Sequence, residues 1–177
     1  MKIILSIIII NSFLYSNWNY YINNLNKKEI KTLKKTFKKG LKYNLEYSLS
    51  AIHIKESLLD KYSYNINNQF SIDVGSFMIN SYQYLKRHDK KINTFNTSRA
   101  LEELRDYNIN FLEAVYTLNY FLVYHNYNYR KAYASYNCGF DNKKLRCKKY
   151  SEDIIKIIKI LRKKKYLNEL SRLNKTI

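Results

Sequence analysis

The chain has 177 residues, the length of one domain, and 46% hydrophobic with 16% aromatic residues is enough to bury a core and too much for a disordered chain. Lys and Arg number 32 against 14 Asp and Glu, a formal charge of +18, with three Gly and no Pro. That scarcity argues against a turn-dense β-sandwich, and the lack of any G-x-G-x-x-G or G-x-x-x-x-G-K-[ST] run excludes a glycine-cradled nucleotide site.

Met1-Lys2 is followed by an apolar run from Ile3 to Ile10 and then by Asn11 to Ser16. The run is too short to span about 30 Å of hydrocarbon as a helix. It fits a secretory signal peptide over 1–16 with Ser16 before the cleavage point, the alternatives being a buried first helix or an uncleaved interfacial anchor. No Cys lies nearby to carry a lipid, so the expectation is a periplasmic or secreted protein without a stable membrane span.

Residues 17–40 form a basic N-terminal segment. Ile30, Leu33 and Phe37 recur at helical spacing among its lysines, which predicts an amphipathic helix ending near Gly40, before a main domain over 41–177. A second helix is expected from about 46 to 59, with Leu45, Leu49, Ala51 and Ile52 on its buried side. An Asn- and Tyr-rich loop comes next, and Phe70 to Gly75 reads as a short hairpin or turn. Ser98 can cap a helix through Leu104. Phe111, Leu112, Val115, Leu118 and Leu122 make an apolar helix over 109–125, and 129–137 suggests a shorter one. Ser151 before Glu152 and Asp153 is a helix start, and Ile154, Ile157, Ile158 and Leu161 give its stripe. The fold class is mainly α with one small β-hairpin.

Cys138 and Cys147 are the two cysteines, close enough in sequence to close a short disulfide loop in an oxidising compartment; two separate thiols are the alternative. His53, His88 and His125 show no ligand spacing to each other or to the thiols, so no metal is expected.

Glu56 ends the apolar run Ala51-Ile52-His53-Ile54-Lys55-Glu56-Ser57. Apolar surroundings disfavour a charged carboxylate and raise its pKa, as a general acid near neutrality requires. On this segment alone a solvated helix-end Glu is the plainer reading.

Three later segments change that reading. Glu56-Ser57, then Gly75-Ser76-Phe77-Met78-Ile79-Asn80, then Ala134-Ser135-Tyr136-Asn137-Cys138-Gly139, then Tyr150 form an ordered series. The series resembles the soluble lytic transglycosylases of the lysozyme-like superfamily, especially the small secretion-associated ones. There it reads E-S, then G-[LM]-[MF]-Q-I-N, then A-x-Y-N-x-G, then a Tyr opening the last helix. Leu104-Arg105-Asp106-Tyr107-Asn108-Ile109-Asn110 is similar to the stretch before that family's long central helix. The likeness covers about residues 40–162.

The resemblance implies a lysozyme-like α-rich domain that cleaves peptidoglycan glycan strands between N-acetylmuramic acid and N-acetylglucosamine, without metal or organic cofactor. It makes Glu56 the acid that protonates the glycosidic oxygen and the base that then deprotonates the muramic C6 hydroxyl. That hydroxyl closes a 1,6-anhydro ring, so one carboxylate serves both steps. Gly75 would let the backbone approach the sugar. Asn80, Tyr136, Asn137 and Tyr150 would line the groove, and Ser57 would position rather than attack.

Two departures stand out. Met78 occupies the place of the family's Gln, so one sugar-binding hydrogen bond is either lost or taken over by another residue. Asp73, in Ser71-Ile72-Asp73-Val74-Gly75, also resembles the second carboxylate segment of c-type lysozymes. It reads either as a second catalytic carboxylate, the equipment of a hydrolysing muramidase, or as a turn residue bonded to its own backbone.

Two rival functions are weighed against this. The charge and interleaved Tyr would suit a nucleic-acid-binding module, but no nucleic-acid motif is present, so no such partner is expected. A wall-binding protein without catalysis is the other, and the same charge would favour salt-sensitive adsorption to an anionic wall. The expected actor is a monomer working on peptidoglycan, bacterial or phage-encoded, in wall turnover or beside a secretion or pilus apparatus.

Overall fold

A computed structural model describes residues 17–174; the signal peptide read over 1–16 lies outside the described residues. The chain runs α1 (Trp18–Asn23), α2 (Lys27–Leu41), α3 (Glu46–Ser57), β1 (Tyr64–Asn68), β2 (Ser71–Val74), β3 (Ile79–Asn80) and α4 (Ser81–Arg87). It continues through α5 (Thr94–Arg105), α6 (Tyr107–Tyr124), α7 (Tyr129–Cys138), α8 (Leu145–Leu161) and α9 (Lys165–Asn174). The abundant Asn works as punctuation. Asn17, Asn26, Asn80, Asn93 and Asn128, with Asp106, each accept a backbone N–H of the helix they open. Asn26 and Glu29 complete a reciprocal capping box on α2.

The core is built around α3. Ser48 through Ile54 are all buried, because α2 covers one side of the helix and α8 another. α7 is wedged between α6 and α8, and α1 lies on α8. A helix enclosed on several sides shows little apolar periodicity of its own. The three strands form an antiparallel sheet in the order β1-β2-β3. Asn65 pairs with Asp73 across β1 and β2, and Asp73 pairs with Asn80 across β2 and β3. The sheet leans on α4 and α5. No helix among the described residues is long and apolar enough to cross a membrane.

Several boundaries differ from those expected of the sequence. The basic segment 17–40 is two helices, because Asn26 restarts the chain with its own cap. Leu33 and Phe37 are fully buried and join the common core. α3 ends at Ser57, where Leu58, Leu59 and Asp60 turn left-handed with φ of 49°, 59° and 73°. The Asn-rich loop contains strand β1, so the hairpin is part of a three-stranded sheet. Asn has low β propensity, and here the ladder to β2 outweighs it. Asn93 caps α5, leaving Ser98 inside the helix. α8 starts at Leu145, not Ser151, whose hydroxyl is buried and donates to the Arg130 carbonyl at 2.8 Å. Helices α4 and α9 are additions to the expected set.

Candidate active site

Glu56 is the penultimate residue of α3. The left-handed turn after α3 stops the helix and presents the carboxyl to a cleft of about 1000 Å³. Asn65, Asn67 and Asp73 of the sheet line it together with residues of α4, α6 and α7. Glu56, Asp73, Met78, Asn80, Tyr136 and Asn137 all face this cleft. Sequence positions far apart are therefore brought together by the packing of the sheet on α4, α5 and α6 and of α7 on α6.

Behind the cleft, Tyr150 of α8 is buried and its hydroxyl donates to Glu56 Oε1. Burial raises the Glu56 pKa to about 7; the Tyr150 hydrogen bond and the Lys55 charge pull it down, and the Asp73 charge adds to the rise. Lys55 is itself held by Asp153 at 2.8 Å, which blunts its pull. With Tyr150 on Oε1, the acid proton is left to Oε2. Burial, followed by the charge on Glu56, holds the hydroxyls of Tyr136 and Tyr150 well above the ordinary Tyr pKa. Both therefore stay protonated, and Tyr150 donates to Glu56. Tyr136 spends its proton on the Phe77 carbonyl, 3.1 Å away.

Asp73 sits in strand β2, not in a turn. Asn67 Nδ2 donates to its Oδ2 at 2.9 Å, Asn65 Nδ2 to the same oxygen at 3.5 Å, and Asn80 Nδ2 to Oδ1 at 2.7 Å. The backbone-bonded turn residue is thus set aside by geometry. Three amides hold the carboxylate in a fixed orientation at the cleft surface. Asn80 also caps α4 through Gln83 N at 3.2 Å and reaches Ser71 Oγ at 2.9 Å. Both of its N–H groups are taken by protein, and through one of them it orients Asp73.

Gly75 and Ser57 are not on the cleft wall. Gly75 has φ +80°, and a Cβ there would lie 2.4 Å from Asn110 Nδ2 and 2.7 Å from the Leu104 carbonyl. The glycine is required by the turn and by α6, not by substrate, which corrects the role the resemblance suggested. The Ser57 hydroxyl donates to the Ser76 carbonyl at 2.9 Å and accepts from Asp60 N at 3.1 Å. It ties the end of α3 to the turn between β2 and β3. Met78 stands on the cleft wall in left-handed conformation, φ 49°, and supplies an apolar surface where the family pattern has an amide. Asn137 is exposed and also lines the cleft. The sulfurs of Cys138 and Cys147 are joined, closing a nine-residue separation between the end of α7 and the start of α8.

Residues to which the sequence assigned no role complete the frame. Buried Asn110 accepts from Phe77 N at 2.8 Å and donates to the carbonyls of Val74 at 2.8 Å and Leu104 at 3.0 Å. It fixes the β2–β3 turn on α6. A second strut runs through fully buried His53, 2.8 Å from both Thr36 Oγ1 and Asp60 Oδ1, with Ser76 donating to Asp60 at 2.6 Å. Asn65 and Asn67 were hidden in an apparent loop. Their spacing of two, flanking Ile66, is the strand alternation that could have revealed them.

The sequence model of the Transglycosylase SLT domain family matches residues 34–158. No curated protein and no solved structure matches the chain. The matched span begins in α2, ends in α8 and takes in the cleft, Glu56, Asp73 and Tyr150. An α-rich domain with a small sheet, a buried helix ending in a cleft carboxyl and a match over most of its length together make this chain a member of the SLT transglycosylase domain family of the lysozyme-like superfamily.

Proposed function

We propose that the protein is a peptidoglycan lytic transglycosylase that cleaves the β-1,4 bond between N-acetylmuramic acid and N-acetylglucosamine, with Glu56 as general acid and then general base. The observation that carries this is a cleft carboxyl whose pKa is raised by burial to about 7 and whose Oε1 is held by Tyr150. Protonated Oε2 gives its proton to the glycosidic oxygen as the C1–O bond breaks. The resulting carboxylate removes the proton of the muramic C6 hydroxyl, and O6 bonds to C1. Glu56 ends the cycle protonated, no water is consumed and one anhydro end forms.

A second reading rests on Asp73. The three amides that hold it in the same cleft as Glu56 are how a fixed second carboxylate would be built. It would stabilise positive charge at C1 or bond to it while water completes hydrolysis. Mass spectrometry of digests of purified peptidoglycan separates the two. Anhydro-muramic ends made by the wild type but not by Glu56→Gln support the transglycosylase; reducing ends one water heavier support the muramidase. No Glu56-dependent product would leave a wall-binding protein. Cleavage after Ser16 would deliver the protein to the periplasm or beyond, where its substrate lies, and sequencing the N-terminus of the exported protein tests that.

A further inference from the structure

One end of the cleft is aromatic. Tyr116, Tyr120 and Tyr124 follow one another at i, i+4 and i+8 on α6, which places them on one face about 6 Å apart along the axis. They are 53%, 46% and 57% exposed, and Phe140, in the loop closed by the disulfide, is 62% exposed. Single exposed rings are ordinary, but four gathered beside a cleft, three of them in mutual contact, mark a binding face.

They also form one assembly. The Tyr120 and Tyr124 rings are nearly parallel, 11° apart with centroids at 6.5 Å. Phe140 stands edge-on to both, at 6.2 Å from Tyr120 and 5.1 Å from Tyr124. The Arg87 guanidinium lies 4.7 Å from the Tyr116 ring, fixing that end. Tyr116, Tyr120 and Phe140 line the cleft that holds Glu56, and Tyr124 carries the face beyond it.

We infer that this face is a distal glycan subsite, on which N-acetylhexosamine rings of the strand stack after leaving the cleft; the inference rests on the proposed action on peptidoglycan. Continuity with the cleft names the occupant, since a linear strand seated at Glu56 must leave along one of its ends. Pyranose rings present a flat C–H face that packs on an aromatic face, and the Tyr hydroxyls can bond the equatorial rim. The helical step of about 6 Å is on the scale of a single sugar unit. The link between Cys138 and Cys147 closes the loop that carries Phe140, restricting the backbone from which that ring meets Tyr120 and Tyr124.

The test uses the Glu56→Gln protein, which would bind without cutting, and measures Kd by calorimetry for purified glycan strands of increasing length. Parent affinity should rise with length beyond the sugars that fill the cleft. Tyr120→Ser with Tyr124→Ser should lose about tenfold for long strands and progressively less for shorter ones. Tyr120→Phe with Tyr124→Phe should restore most of that loss, since stacking needs only the ring. A melting curve matching the parent shows that the Ser variant is folded; if it is not, the Phe pair and Phe140→Ser carry the comparison. Equal loss at every length, or no loss, overturns the subsite. So does a concentration-dependent dimer abolished by the Ser pair, which would assign the face to a second copy. A parent that binds no strand of any length would instead sink the peptidoglycan reading itself.

Discussion

The hydroxyl of Tyr150 donates to Oε1 of Glu56, linking α8 to the end of α3 across 94 positions of sequence. This one bond fixes which carboxyl oxygen remains for the acid proton, and it stabilises the carboxylate form. Tyr150→Phe removes it while keeping the ring. Glu56 should then titrate higher, by about one pH unit for a lost hydrogen bond to a charged group. The alkaline limb of the pH–rate profile should move up and kcat should fall about tenfold. An unmoved or downward-moving limb would show that Tyr150 has no part in tuning Glu56.

A carboxyl that is harder to ionise when folded than when unfolded carries a stability penalty with a defined pH window. Glu56 rises from 4.5 to about 7, so the favourable contribution is complete below 4.5 and is lost as pH climbs through 7. Glu56→Gln keeps the shape and the acceptor for Tyr150 but cannot ionise. Relative to wild type, it should gain about 3 kcal/mol between pH 4 and pH 8. Urea denaturation at the two pH values measures this; a difference that does not change with pH would mean that Glu56 is not desolvated.

Asp73 acts on Glu56 through space, its charge adding to the rise in pKa. Asp73→Asn should therefore lower the Glu56 pKa and pull the alkaline limb down. In the transglycosylase account the anhydro products persist, with a rate reduced about tenfold or less. Loss beyond about 1000-fold would make Asp73 the covalent or electrostatic partner that hydrolysis requires.

Gly75→Ala separates a structural glycine from a substrate-facing one. Its φ of +80° and the Asn110 amide 2.4 Å from a new Cβ predict a loss of about 2 kcal/mol or more, read as a lower denaturation midpoint. An altered KM with unchanged stability would return the residue to the substrate side.

Much of this was legible in the sequence where local rules and tertiary packing agreed. The stripes of α6 and α8 and the order of Glu56, the Gly75–Asn80 run, Tyr136-Asn137 and Tyr150 pointed to an α-rich transglycosylase. Failures came where tertiary structure overrode local signals. Ser151 looks like a cap, yet the helix forms six residues earlier because Cys147 and Tyr150 are needed in the core. β1 has poor strand composition and exists because β2 pairs with it. The clamp on Asp73 depends on which side chains meet across the sheet, which spacing alone does not disclose. Gly75 stands out in the sequence for the right conformational reason, but its neighbour is Asn110, and only the fold brings that residue near.

Release of soluble fragments from purified peptidoglycan, followed from pH 5 to 9 for wild type and Glu56→Gln, tests the central role of Glu56 most directly. Wild-type release should fall as pH rises through about 7, where Glu56 loses its proton. The Gln variant should be slower by about 1000-fold or more throughout and still sediment with the wall. Fragment release by Glu56→Gln within tenfold of wild type would contradict the account, because the carboxyl would then be dispensable to the cleavage assigned to it.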